Sequence, residues 1–194
     1  MQLKTYQRDT LATLRRFLRD ARVRGPKAAY EAITSEPEQA KRLRGFGGAY
    51  TPLLADEELP YVCLRLPTGG GKTVLAAHSV AVAAQEYIGQ EFPMVLWLVP
   101  STTIRKQTAE ALQNPRHPYR EALAEHFGEP VRVLDMADFL RLRPHDLGRH
   151  LCVIVSTIQN LRVSDTDGRK VYAHQEDLEP FFTKVSKRAP GLET

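Results

Sequence analysis

Cysteine is almost missing from this chain: Cys63 and Cys152 are the only two in 194 residues. Two cysteines build no disulfide framework, and the lack of a Cys-x-x-Cys pair removes the commonest thiolate zinc site. Both lie in apolar runs, so they read as free thiols in buried strands of a protein from a reducing compartment, the cytoplasm. The six histidines are scattered and no two stand at ligand spacing, so a metal site built from protein ligands alone is not expected. No apolar run approaches the ~18 residues of a membrane span. The opening Met1-Gln2-Leu3-Lys4-Thr5-Tyr6-Gln7 lacks the apolar centre of a signal peptide. Repeats and low-complexity segments are absent too. Excess charge is small: 27 Lys plus Arg against 23 Asp plus Glu leave +4, which is compatible with nucleic acid without pointing to it. Basic runs such as Lys41-Arg42-Leu43-Arg44 and Arg141-Leu142-Arg143 read as solvated helix faces.

What is present is a chain long enough for one large domain with a real core, 42% apolar and 26% charged. It is organised around Pro67-Thr68-Gly69-Gly70-Gly71-Lys72-Thr73. A strand-like run, Tyr61-Val62-Cys63-Leu64-Arg65-Leu66, precedes this loop, and a helix-forming run from Val74 to Ala84 follows it. Strand, glycine loop and helix with Lys-Thr at its start form the context of a phosphate-binding loop. Glycines let successive backbone N–H groups turn inward where a side chain would block the phosphate. The helix start adds unpaired N–H groups and the positive end of its dipole. Lys72 would reach the β- and γ-phosphates of a nucleotide, and the Thr73 hydroxyl would take one position on Mg²⁺. The strict pattern G-x-x-x-x-G-K-[ST] asks for glycine at position 66, where this chain has Leu66.

Around the loop, residues 5–22 read as a helix, with Leu11, Leu14 and Leu18 at helical spacing and Gly25-Pro26 as its stop. Residues 27–44 read as a second helix or two pieces broken near Pro37, and the glycines and prolines of 45–60 as a loop. Then strands and helices alternate: strand 61–66, helix 72–88, strand 94–99, helices 102–113 and 119–127, strand 131–134, a short helix 136–142 and strand 151–155. Uninterrupted apolar strands separated by helices predict an α/β fold, a mostly parallel sheet covered on both faces. The tail from 164 is polar, with weak helical signals near 175–186.

In such sheets the chemistry collects at the carboxyl ends of strands. Two further strand ends carry small hydroxyls: Ser101-Thr102-Thr103, after Val99-Pro100, and Ser156-Thr157, after Val155. Hydroxyls beside helix-start amides suit nucleic-acid phosphates held without reading bases. Alone, either stretch reads as a helix cap ahead of a phosphate contact. Arg105 and Lys106 could add charge there or line a solvated face.

Taken in order, these residues resemble superfamily 2 helicases and translocases. Pro-Thr-Gly-x-Gly-Lys-Thr at 67–73 is similar to motif I, Val-Pro-Ser-Thr at 99–102 to motif Ia, and Ser-Thr-Ile-Gln at 156–159 to motif Ic. Thr5-Tyr6-Gln7-Arg8-Asp9 resembles the glutamine element, whose Gln7 amide would donate to N7 and accept from N6–H of adenine, preferring ATP to GTP. The likeness covers about residues 3–162. Within the DEAD/DEAH-type group it points to the restriction branch, the Res subunits of type III restriction enzymes, through Leu-Pro-Thr-Gly-Gly-Gly-Lys-Thr, Leu-Trp-Leu-Val-Pro-Ser and Val-Ser-Thr-Ile-Gln-Asn-Leu; Thr166 to Tyr172 adds to it without a physical account. The resemblance implies a RecA-like P-loop NTPase, with ATP and Mg²⁺ as cofactors and nucleic acid, DNA rather than RNA, as partner. It also implies companion subunits of a restriction or defence complex.

The resemblance further implies a helical segment at 1–60 with the glutamine element, a RecA-like core at 61–162 and a polar tail at 163–194. Hydrolysis needs an Asp on Mg²⁺ followed by a Glu that polarises water, and no Asp-Glu-x-His or Asp-Glu-x-Asp follows an apolar strand here. Asp56-Glu57-Glu58 precedes the loop, and Asp135 ends Val131-Arg132-Val133-Leu134 but is followed by Met136. The expectation is an incomplete domain whose motif II lies beyond Thr194, and which hydrolyses nothing alone. The alternatives are Asp135 as that carboxylate, a P-loop kinase or other small-molecule NTPase, and a non-catalytic nucleotide-binding fragment.

Overall fold

In the computed structural model, residues 2–43, 48–53, 56–135 and 147–161 are described. The expected helix at 136–142, the Arg141–Arg143 run and the tail at 163–194 lie outside them. The chain divides into two compact units, Met1–Gly89 and Gln90–Thr194. The first unit therefore runs across residue 60, where the composition changes, and holds the glycine loop together with the amino-terminal helices.

The first unit is built on α1 (Thr5–Arg24). Leucines and Phe at helical spacing put Leu14, Phe17, Leu18 and Ala21 on one buried stripe. Gly25, at φ 83°, ends the helix, its N–H donating to Ala21 O at 3.0 Å. Pro26 starts α2 (Pro26–Thr34) directly, as a residue with no N–H to lose can, and α3 (Pro37–Leu43) follows. The α1 stripe packs with Ala29, Ile33, Tyr50 and Val82, the last from α4 (Lys72–Ala83). A five-residue π-helical turn, Ala84–Ile88, extends α4.

The run 61–66 differs from expectation. It pairs with no strand, and the sheet of the described residues contains only three strands, all from the second unit. Its residues alternate instead: Val62 and Leu64 pack on the α1 core, while Tyr61, Cys63 and Arg65 are exposed. Cys63 is thus not the buried strand thiol expected; Cys152 is. A single segment lying on a helical core buries only the side chains that face it. The hydroxyl of Tyr50 holds the run in place by accepting from Tyr61 N–H at 3.0 Å and donating to Leu59 O at 3.3 Å.

Four arginines of α1 are paired with carboxylates within the unit. Arg15 and Arg19 pair with Glu86 at 3.1 and 3.0 Å, Arg24 pairs with Asp20 at 2.7 Å, and Arg16 pairs with Glu36. Arg42 of α3 meets Asp9 at 3.6 Å. A basic-looking helix is here a solvated face knitted by ion pairs, each worth little by itself.

The second unit is an all-parallel sheet in the order β1-β3-β2, with β1 (Met94–Val99), β2 (Val131–Asp135) and β3 (Leu151–Thr157). Parallel neighbours need crossovers. The one from β1 to β2 carries α5 (Thr102–Gln113) and α6 (Pro118–Phe127). α5 packs on all three strands and α6 on β2. Central β3 is buried at every residue, as its unbroken apolar run predicts. β1, at the edge, is not: Met94, Leu96 and Leu98 are 52%, 50% and 43% exposed, so its uniformly apolar sequence covers only one buried face. Arg120 of α6, 7% exposed, donates to Leu112 O and Val131 O and pairs with Glu129, whose carboxyl it holds below the usual range. No helix of the described residues is long and apolar enough to cross a membrane.

Glu86 joins the π turn to α1, and its hydrogen bond from Arg19 keeps its carboxyl below the ordinary value of 4.5 despite some desolvation. A depressed folded pKa stabilises above the unfolded value and is lost as pH falls through the folded one. Glu86→Gln should therefore cost about 0.5–1 kcal/mol at pH 7, discounted because both arginines are largely exposed. In urea titrations across pH, the gap between variant and wild type should close below pH 4.5; a gap that persists in acid would make Glu86 a packing residue.

Candidate functional site

The loop after Leu66 is a tight turn followed at once by a helix. Gly70 N–H donates to Pro67 O at 3.0 Å and closes the turn. A Cβ on Gly70 would stand 2.8 Å from that same oxygen, so the position admits no side chain. Gly69 and Gly71 take φ of +73° and +77°, left-handed values that glycine adopts without strain. Gly71 also caps α4, its carbonyl accepting from Leu75 N–H at 3.0 Å. The first amides of α4 have no partner inside the helix. Lys72, exposed at its first position, folds back so that Nζ donates to Leu66 O at 3.4 Å and Pro67 O at 3.2 Å. Thr73 is half-buried beside it, and Thr68 is exposed at the turn.

Two side chains of α1 reach this loop within the same unit. Gln7 is 4% exposed; its Oε1 accepts from Lys4 N–H at 2.9 Å, closing the helix start, and its Nε2 donates to Gly70 O at 2.9 Å. The Tyr6 hydroxyl donates to the same carbonyl at 3.0 Å. A Cβ on Gly71 would meet Gln7 Nε2 at 2.5 Å. Gln7 was expected beside the loop's nucleotide as a reader of its base; the structure joins it to the loop itself. Tyr6 escaped the sequence reading. Its only signal was adjacency to Gln7, because nothing local reveals an acceptor 64 positions away.

In the second unit the strand register places Val99 beside Thr157 and Asp135 beside Val155, so the carboxyl ends of the three strands share one sheet edge. Ser101, Thr102 and Thr103 are exposed there. Ser101 caps α5, its Oγ accepting from Ile104 N–H at 3.3 Å. Ser156 and Thr157 are not loop residues as expected: β3 continues through them, and they are 0% and 3% exposed. The Thr157 hydroxyl accepts from Asn160 N–H at 3.3 Å at the start of the short helix α7 (Ile158–Leu161), and Ser156 Oγ donates to Thr157 O at 3.4 Å. Arg105 of α5 pairs with Asp135, tying the helix to the end of β2. That pairing engages the carboxylate at the end of β2.

Neither curated proteins nor solved structures yield a match to the chain. The sequence model of one family, described as type III restriction enzyme, res subunit, matches residues 1–184. That family has the RecA-like P-loop fold and is the helicase-like ATPase domain of restriction enzymes. With 184 of its residues matched in order, this chain belongs to the Res-subunit family of type III restriction enzymes.

Proposed function

We propose that the chain binds Mg-ATP on the loop at 67–73 and nucleic-acid backbone at the sheet edge of its second unit, as the nucleotide-binding part of a nucleic-acid-dependent translocase. The observation that carries the first half is the loop: a glycine whose Cβ would strike Pro67 O, two left-handed glycines beside it, and a lysine folded over the turn at a helix start. This set fits a triphosphate. Backbone N–H groups from Gly69 to Thr73 would hold its oxygens, with Pro67 and Thr68 shaping the turn. Lys72 would exchange two neutral carbonyls for phosphate charge, a stronger pairing. The Thr73 hydroxyl would be one ligand of Mg²⁺, which when bound neutralises charge on the phosphoryl oxygens. Gln7 keeps one N–H and one lone pair beyond its present bonds, enough for the adenine edge.

For nucleic acid, the exposed Ser101, Thr102 and Thr103 offer hydroxyls and first-turn amides of α5 to phosphates. Ser156 and Thr157, being buried, support that edge rather than reach out, Thr157 by capping α7 and Ser156 by bonding the Thr157 carbonyl. DNA is the partner expected for a restriction system, with partner subunits alongside.

Lys72→Ala should weaken Mg-ATP binding about 10- to 100-fold, the range for charge-assisted bonds, with no loss of fold because Lys72 is exposed. Equal affinity of the two proteins by calorimetry removes the loop from the site. Gln7→Ala should weaken ATP more than GTP, since only adenine offers that donor and acceptor pair; parallel losses would leave Gln7 acting on the loop alone. The double variant Thr102→Ala, Thr103→Ala should reduce DNA binding uniformly across sequences and leave ATP affinity unchanged. An unchanged DNA affinity in fluorescence anisotropy at low salt places the nucleic-acid contact elsewhere.

A further inference from the structure

The carbonyl of Gly70 accepts two side-chain donors, Tyr6 Oη at 3.0 Å and Gln7 Nε2 at 2.9 Å, so both of its lone pairs are taken. The peptide it belongs to joins two glycines, Gly70 and Gly71. Such a peptide has no Cβ on either side to resist rotation about its flanking bonds. Hydrogen bonds, not sterics, then decide which way it faces. In a trans peptide the C=O and the N–H point in opposite directions. With Gly70 O held against α1, the Gly71 N–H faces away from α1. A turned peptide would instead offer a carbonyl oxygen to any phosphate on that side.

We propose that Tyr6 is a positioning residue of the phosphate loop: its hydroxyl, with the Gln7 amide, fixes the Gly70–Gly71 peptide so that the Gly71 N–H is presented to phosphate. This rests on the reading of 67–73 as a nucleotide site. Tyr6 itself touches no nucleotide group in this role. Its ring is 40% exposed and is not among the residues of the α1 core, so burial in that core does not account for it. Because it acts through the backbone, the effect is independent of the base. That separates it from the base-reading role proposed for Gln7.

The test is Tyr6→Phe in the full 194-residue chain, which removes one hydroxyl and keeps the ring. Two measurements are needed. The first is the ¹⁵N–¹H resonance and hydrogen exchange of the Gly71 amide without ligand. The second is the affinity for Mg-ATP, Mg-GTP and Mg-tripolyphosphate by calorimetry. The Gly71 amide should shift and exchange faster, while the amides of Leu14 and Phe17 in the α1 core stay as they are. Affinity should fall about three- to tenfold, the worth of one hydrogen bond, and equally for all three ligands. An unmoved Gly71 amide overturns the proposal, as does a loss confined to ATP. So does unchanged affinity for tripolyphosphate in a variant whose wild type binds it. If wild type binds none of the three, the nucleotide reading fails by itself, and the Gly71 amide still decides whether Tyr6 sets the peptide.

Discussion

The Gly70 carbonyl is the point on which the first unit turns. It is the meeting place of α1 and the glycine loop, held from one side by Tyr6 and Gln7 and built into the turn that Gly70 N–H closes on Pro67 O. Everything near it is constrained by that contact. Gly70 can carry no Cβ because of the Pro67 carbonyl, and a Cβ on Gly71, already strained by its positive φ, would push Gln7 Nε2 aside. Gln7 in turn is buried because it spans from the helix start at Lys4 to the loop. Three successive glycines thus have separate causes: backbone angle at Gly69, the turn oxygen at Gly70, and both angle and a neighbouring amide at Gly71. An amino-terminal helix and a loop over sixty residues later form one device.

Charge in this chain does less than its excess of basic residues suggests. Arg15, Arg16, Arg19 and Arg24 are committed to Glu86, Glu36 and Asp20, and Arg105 to Asp135. Committed arginines have their field largely cancelled at short range and contribute little to steering of a polyanion. The ammonium that stands apart from carboxylates in the loop is Lys72, which rests on two neutral carbonyls. At the loop, then, the positive charge sits at a helix start, beside amides and the Thr73 hydroxyl.

How much of this was legible beforehand depended on how local each feature is. The loop was legible because Gly-Gly-Gly-Lys-Thr between an extended run and a helix is a contiguous signal. So were the helices, since Leu11, Leu14 and Leu18 repeat at the helical period and Gly25-Pro26 ends them. The pairing of 61–66 was not: an apolar run shows extension, yet whether it joins a ladder or lies on a helix is set by residues elsewhere. The end of β3 was misplaced by two residues because Ser and Thr suit both a strand and a cap, and only the neighbours Leu98 and Val99 in the register show that the ladder continues. Ion pairs such as Arg105 with Asp135 join positions 30 apart and leave no periodic trace.

Leu66 departs from the strict phosphate-loop pattern, and the geometry accounts for it. The turn is closed by Gly70 N–H on Pro67 O, so it begins at Pro67, not at 66. The residue before a proline is pushed into the extended region, which any side chain accepts. Left-handed angles in the loop fall only on Gly69 and Gly71. A glycine at 66 would add flexibility to the unfolded chain without relieving any angle. Leu66 instead leaves its carbonyl facing Lys72 while its side chain stays half-buried. Pro67 fixes where the run before the loop stops and the turn starts.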